Sequence, residues 1–150
     1  MKRLVLAAAA AAGLATALPA AAQFQKPEDA IKYRKAAFTV MASHFSRIAA
    51  MASGKVPFDA AAVLANADLV ATMSRLPYAG FIDGTSGGDT KAKPEIWTEQ
   101  DKFKAAASKM QEEVTKLNVA AKGGNIDQIK AAVGDVGKSC KACHDNYRKE

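Results

Sequence analysis

Apolar residues recur along this chain at alternating intervals of three and four, and one of the two longest such runs lies near the C-terminus. There Ile126, Ile129, Val133, Val136, Cys140, Cys143 and Tyr147 share one spacing. An α-helix turns once in about 3.6 residues, so the run forms a single stripe on a helix with both cysteines on its inward face. Ile31, Arg34, Phe38, Met41, Phe45, Ile48 and Ala52 follow the same rhythm, as do Phe103, Ala106, Met110, Val114 and Leu117. The punctuation between stripes predicts the boundaries. Pro27-Glu28-Asp29 suits a helix start, with a proline in the first turn and acids at the positive end of the dipole, and Gly54 stops that helix after about Ser53. A second helix is expected from near Pro57-Phe58-Asp59 to Leu76-Pro77, followed by an irregular stretch carrying Gly80, Gly84, Gly87, Gly88 and Pro94. A third runs from Glu95-Ile96-Trp97 to Gly123-Gly124, a left-handed C-cap, and Asn125 with Gln128 resembles a capping box that starts the fourth. No segment reads as a strand. The pattern predicts an all-α protein, an antiparallel four-helix bundle in one domain, residues 23–150.

Composition adds two points. The core stripes are rich in alanine, which favours helix but fills core layers thinly, so a large cofactor would help complete the packing. The first 22 residues differ from the rest: Met1-Lys2-Arg3, an apolar run from Leu4 to Leu18, then Ala20-Ala21-Ala22 before the chain turns polar at Gln23. This is the pattern of a secretory signal peptide cut after Ala22, and it predicts export to the periplasm. The run is short of the roughly 20 apolar residues of a membrane span, so no membrane insertion of the mature protein is expected. Loss of Lys2 and Arg3 takes the formal charge from +6 to +4. With lysines and acids interleaved, that excess reads as a solvated helix surface, and no nucleic acid partner is expected.

The chemistry sits at the end of the last stripe. Cys140-Lys141-Ala142-Cys143-His144 places two thiols one turn apart and an imidazole directly after the second. Covalent haem attachment needs this order: two thiols that add across the vinyl groups on one porphyrin edge, and a histidine that reaches the iron from one face. The expected cofactor is one haem c, bound through Cys140 and Cys143, with His144 as the metal ligand. A thioredoxin-like pair would start a helix after a strand, and a zinc site would need two more ligands, with His44 the only other histidine. The second axial position decides the function, since a methionine or histidine there suits electron transfer whereas an open position admits small gases. Met41 lies on the inward stripe as a candidate cofactor contact, although methionine commonly fills core gaps. His44 lies one position off the stripe. Arg34 occupies a core slot and needs an anionic partner, for which a haem propionate is the candidate; the alternative is a head that snorkels to solvent. Arg148 follows His144 by four and would lie over the same helical face, near the imidazole's surroundings or a gas bound on that side; the alternative for a terminal residue is plain solvation.

Taken together, the Cys140-to-Arg148 ending, Tyr33-Arg34, Asn66-Ala67-Asp68 and Pro94-Glu95-Ile96-Trp97 resemble cytochrome c prime over essentially the whole mature chain. The resemblance implies a periplasmic four-helix bundle, a homodimer through helices one and two, and a five-coordinate high-spin haem that binds nitric oxide and carbon monoxide. Low-spin relatives place a ligating methionine four residues after the arginine of helix one; here Phe38 stands in that position and cannot ligate iron. Phe38 matches the bulky apolar residue that covers the distal face in the family, and Arg148 the arginine placed to contact nitric oxide on the histidine side.

The expected function is therefore binding of small diatomic gases, with electron transfer to an unidentified periplasmic redox partner as a further capacity. The alternative is a dedicated low-spin electron carrier with a methionine ligand. No enzyme activity is expected, because no distal histidine stands beside a catalytic arginine.

Overall fold

The computed structural model describes residues 23–150, so the proposed signal segment, residues 1–22, lies outside the described residues. Four long helices form the bundle: α1 (Pro27–Ala52), α2 (Ala60–Met73), α4 (Gln100–Gly123) and α5 (Ile126–Tyr147), with a single-turn helix α3 (Glu95–Thr98) before α4. Helix α1 packs on α2 and α5, and α4 packs on the same two, so neighbours around the ring run antiparallel. The expected architecture is the observed one.

The termini follow local chemistry. Helix α2 starts later than the Pro57 expectation because Asp59 is the cap, its carboxylate accepting from the Ala62 N–H at 3.0 Å. It also ends earlier. The Leu76 N–H reaches back only to the Met73 carbonyl, at 3.2 Å, and Pro77 has no N–H with which to resume the ladder. The chain instead enters a 3-10 turn, Pro77–Gly80. The expected third helix is two pieces, broken at Glu99, whose φ of −122° and ψ of 44° leave the helical region. Gly124 closes α4 with φ +67°, and the Asn125 side chain accepts from the N–H groups of Asp127 and Gln128 to open α5.

The stripes read from the sequence are the buried faces. Met41, Ile48, Val63, Val70, Val114, Leu117, Ile129 and Val136 form the main core along the bundle axis. A smaller cluster of Ile96, Phe103 and Tyr147 fills the end where α5 finishes. Among the described residues, no helix is long and apolar enough to cross a membrane.

The glycine-rich irregular stretch is a strap with a structural task. Its first residues lie on α1, and its last pair with the C-terminus: the Lys93 N–H donates to the Tyr147 carbonyl at 3.0 Å and the Lys149 N–H to the Lys91 carbonyl at 2.8 Å. Gly80 marks the closest approach, since a Cβ there would stand 2.6 Å from the Ala30 carbonyl oxygen and 2.9 Å from Arg34 Cβ. Neither neighbour is a flexible side-chain end. Gly80→Ala should therefore lower stability by about 1–3 kcal/mol, the usual range for overpacking, measured by urea denaturation; a change below the precision of that measurement would show that the strap can lift freely.

Candidate haem site

The last two turns of α5 carry the site. Cys140 and Cys143 are free thiols, each half-buried. Cys140 packs against the main core and Cys143 against the cluster of Ile96, Phe103 and Tyr147. His144, next along the helix, is exposed. A one-turn offset between inward thiols and an adjacent imidazole is what the helical repeat imposes on this spacing.

Facing them is a continuous group of aromatic rings. Phe38 of α1 meets Tyr78 edge-on, with centroids 6.1 Å apart, and Phe81 at 6.4 Å. Phe81 packs on Phe103 at 4.9 Å, and Phe103 on Tyr147 of α5 at 5.3 Å. The rings thus join the helix that carries Phe38 to the helix that carries the thiols. Tyr78 and Phe81 carry no periodic signal because they stand in a single 3-10 turn and just after it, with no repeat to read. The available signal was concentration: in a chain that is only 7% aromatic, Tyr78, Phe81 and Trp97 all fall in or beside one connector. A cleft of about 300 Å³ opens beside this group, lined by Tyr78, Phe81, Trp97 and Phe103 together with Arg75 and Lys104.

The electrostatics favour uncharged groups. Burial pushes both thiols upward in pKa, and Cys140 adds to the effect on Cys143. Burial also holds the Tyr78 phenol well above its ordinary value, with the nearby thiols contributing. His144, though exposed as a residue, moves down, first through partial desolvation of its ring and then through the charge of Arg148, with Asp145 opposing. A neutral imidazole keeps the lone pair that a metal requires. Two inward protonated thiols, one neutral imidazole and a wall of aromatic rings fit a covalently held haem. They do not fit a zinc site: among the described residues no three His, Cys, Asp or Glu side chains gather as a metal cage. His44 is occupied elsewhere, its Nδ1 lying 2.7 Å from Asn66 Oδ1 between α1 and α2.

Three further candidate residues lie around this group. Met41 is a core residue at 8% exposure, filling the bundle interior that Phe38 and Cys140 border. Arg34 does not snorkel, and its partners among the described residues are backbone and hydroxyl oxygens. It is 2% exposed, and its guanidinium donates to the Gly80 carbonyl (2.8 Å), Thr85 Oγ1 (2.9 Å), the Thr85 carbonyl (2.7 Å) and Thr90 Oγ1 (2.8 Å). Four neutral acceptors use all four terminal N–H bonds, and only Nε–H stands outside this set. The guanidinium also stacks over the Phe81 ring at 4.4 Å. Sequence reasoning missed this because the acceptors lie on the irregular strap. Arg148 is the C-cap of α5, one turn beyond His144. Helix α5 ends at Tyr147, and Arg148 is extended, pairing antiparallel with Ala92 while its N–H bonds the His144 carbonyl at 3.0 Å. Its charge is nonetheless close enough to act on the imidazole.

A four-helix bundle with a Cys-x-x-Cys-His pair of turns at the very end of its last helix is a c-type cytochrome of the kind that carries its haem C-terminally. The chain belongs to the cytochrome c' family, whose profile matches residues 29–148. It is 52% identical over 128 residues to cytochrome c' of Alcaligenes xylosoxydans, covering 85% of this chain and 99% of the relative. Identity to cytochrome c' of Rubrivivax gelatinosus is 53% over 129 residues, covering 85% and 100%. The crystal structure of the Rubrivivax gelatinosus protein superposes with a TM-score of 0.82, again over 85% and 100% of the two chains at 53% identity. A nitric oxide complex of a substituted cytochrome c' from Alcaligenes xylosoxidans superposes with a TM-score of 0.81 at 50% identity, covering 85% and 99%. Haem c is the cofactor of this family, and Cys140, Cys143 and His144 are the residues that fit it.

Proposed function

We propose that this protein is an exported, periplasmic gas-binding cytochrome that takes nitric oxide and carbon monoxide at an iron with His144 as its one protein ligand. The observation that carries this reading is Phe38. On the stripe facing the thiols stands a side chain that cannot coordinate a metal, held edge-on between Tyr78 and Phe81. Haem c, when attached, supplies an iron that accepts neutral diatomics and changes between ferrous and ferric states. The chain's own residues then set access and polarity. Phe38, Tyr78 and Phe81 exclude water and offer no charge to a polar ligand, so uncharged molecules small enough to displace one ring are selected. The nitric oxide complex of the Alcaligenes xylosoxidans relative supports that ligand class.

The low-spin alternative needs a methionine at the iron. Its candidate, Met41, is committed to the core, so electron transfer is proposed as a secondary capacity of the same centre and no enzyme activity is proposed. Self-association through α1 and α2 accords with Val40 and Leu69, which stand 38% and 41% exposed on those helices.

The absorption spectrum of the purified holoprotein tests the reading. High-spin bands in both oxidation states are expected; a sharp low-spin alpha band in the ferrous form would replace the gas site with a six-coordinate electron carrier. Arg148 has its own test. If its charge reaches a gas on the histidine side, Arg148→Ala should alter the spectrum or lifetime of the nitrosyl form, and traces superimposable on wild type at every stage would remove the contact.

A further inference from the structure

The end of the bundle remote from Cys140 and His144 carries a second surface feature. Where α1 ends, α2 begins and α5 begins, an open cleft of about 500 Å³ is lined by Met51, Val56, Phe58 and Ile126 together with Lys55 and Lys130. Val56 and Phe58 stand 46% and 40% exposed, with Pro57 between them, so the loop tip presents a contiguous apolar run to solvent. Gly54, at φ +74°, turns this loop away from the end of α1. Neither flanking lysine has an acidic partner, a state they share with seven other described lysines. Lys35, Lys102, Lys109, Lys116, Lys138 and Lys141 all form ion pairs with acids, whereas among the described residues Lys55 and Lys130 form none. The acids at this end are Asp59, whose carboxylate is taken up by capping α2, and Asp127 in the first turn of α5. Lys122 in the last turn of α4 adds a further cation to the same end.

We propose that this end of the bundle docks on an anionic phospholipid bilayer. An apolar loop tip flanked by free ammonium groups matches the membrane interface in both its layers. Val56, Pro57 and Phe58 enter the acyl boundary, while Lys55 and Lys130 stay at the level of the phosphates, their stems covering the apolar cleft. Pro57 suits such a tip because it brings no N–H that would need a partner there. A second protein chain would meet a less suitable surface: an acidic partner would leave Val56 and Phe58 facing its polar groups. Docking by this end also points the haem site away from the bilayer, leaving it open to dissolved gas.

The holoprotein should co-sediment with phosphatidylglycerol-phosphatidylcholine vesicles and not with pure phosphatidylcholine. Lys55→Glu with Lys130→Glu should weaken the association roughly tenfold or more, as expected for reversing two charges near an anionic surface. Phe58→Ser should weaken it at high salt as well as low, because its contribution is apolar. A charge-reversed control at the opposite end, Lys32→Glu with Lys102→Glu, should bind like wild type; equal weakening by the control would reduce the effect to overall charge and overturn the proposal. Absence of vesicle binding would overturn it, and so would capture of decanoate monomers without vesicle binding, which would make the cleft a site for a soluble amphiphile. The haem spectrum stays unchanged in every one of these variants, so the outcome is independent of the gas-binding reading.

Discussion

Phe38→Ala will accelerate carbon monoxide association with the reduced protein by about 30- to 150-fold, measured by stopped-flow mixing. At the proposed gas site a ligand enters only if the ring moves, and the ring is restrained on two sides, by Tyr78 at 6.1 Å and Phe81 at 6.4 Å. Each edge-on contact contributes about 0.5–1.5 kcal/mol beyond simple burial, and swinging a ring off its staggered well costs about 0.5–1.5 kcal/mol more. These costs sum to about 1.5–4.5 kcal/mol; because both centroid distances lie toward the long end of the usual aromatic range, the lower half of that span, about 2–3 kcal/mol, is expected, and each 1.36 kcal/mol removed from a barrier is tenfold in rate. Dissociation should change much less, because the departing ligand leaves from a pocket whose ring is already displaced. Tyr78→Ala removes one of the two restraints and should shift the rate in the same direction by a smaller factor. An unchanged association rate in Phe38→Ala would place the barrier elsewhere and remove the ring as the gate.

Parts of this site were legible before any coordinates, and the division has a physical cause. Cys140, Cys143, His144 and Phe38 sit on helices, where a repeat of 3.6 residues converts spacing into direction. Their faces could be assigned by counting, and the buried stripes of α1, α4 and α5 are the ones the spacing marks. Tyr78 and Phe81 belong to chain without a repeat, so no count could direct them to the thiols; only their tertiary contacts do. Arg148 stands at the limit of such counting: its N–H still bonds the His144 carbonyl, but its own backbone leaves the helix. The i to i+4 argument holds only inside a helix, and α5 stops one residue short of it because the chain pairs with the strap. Arg34 was recognised as an anomaly, since a charge on a core stripe demands partners. The partners were neutral oxygens on an irregular segment, and nothing in the spacing of Gly80, Thr85 and Thr90 announces that they converge.

That convergence makes Arg34 the residue whose loss should most reduce stability. Arg34→Met keeps length and apolar contact but leaves the acceptors at Gly80, Thr85 and Thr90 without the donors that now satisfy them. Hydrogen bonds from a charged donor contribute about 1.5–3 kcal/mol each, and they are not additive where they share one guanidinium. A total loss of about 3–5 kcal/mol is expected, comparable to breaking a buried ion pair. For a domain of this size it would lower the melting temperature by roughly 10–20 °C. Arg34→Lys should recover only part of the loss, because a single ammonium cannot span acceptors arranged for a planar fork. The effect should also travel. Thr90 Oγ1 accepts from Arg34 and from the Ala92 N–H, and Ala92 pairs with Arg148 beside the haem motif. In Arg34→Met the amides of Lys93 and Lys149, bonded across that junction, should therefore exchange with solvent much faster, while amides in the middle of α4 change only with global stability. Equal acceleration at both places would show that the strap unfolds with the bundle and has no opening of its own.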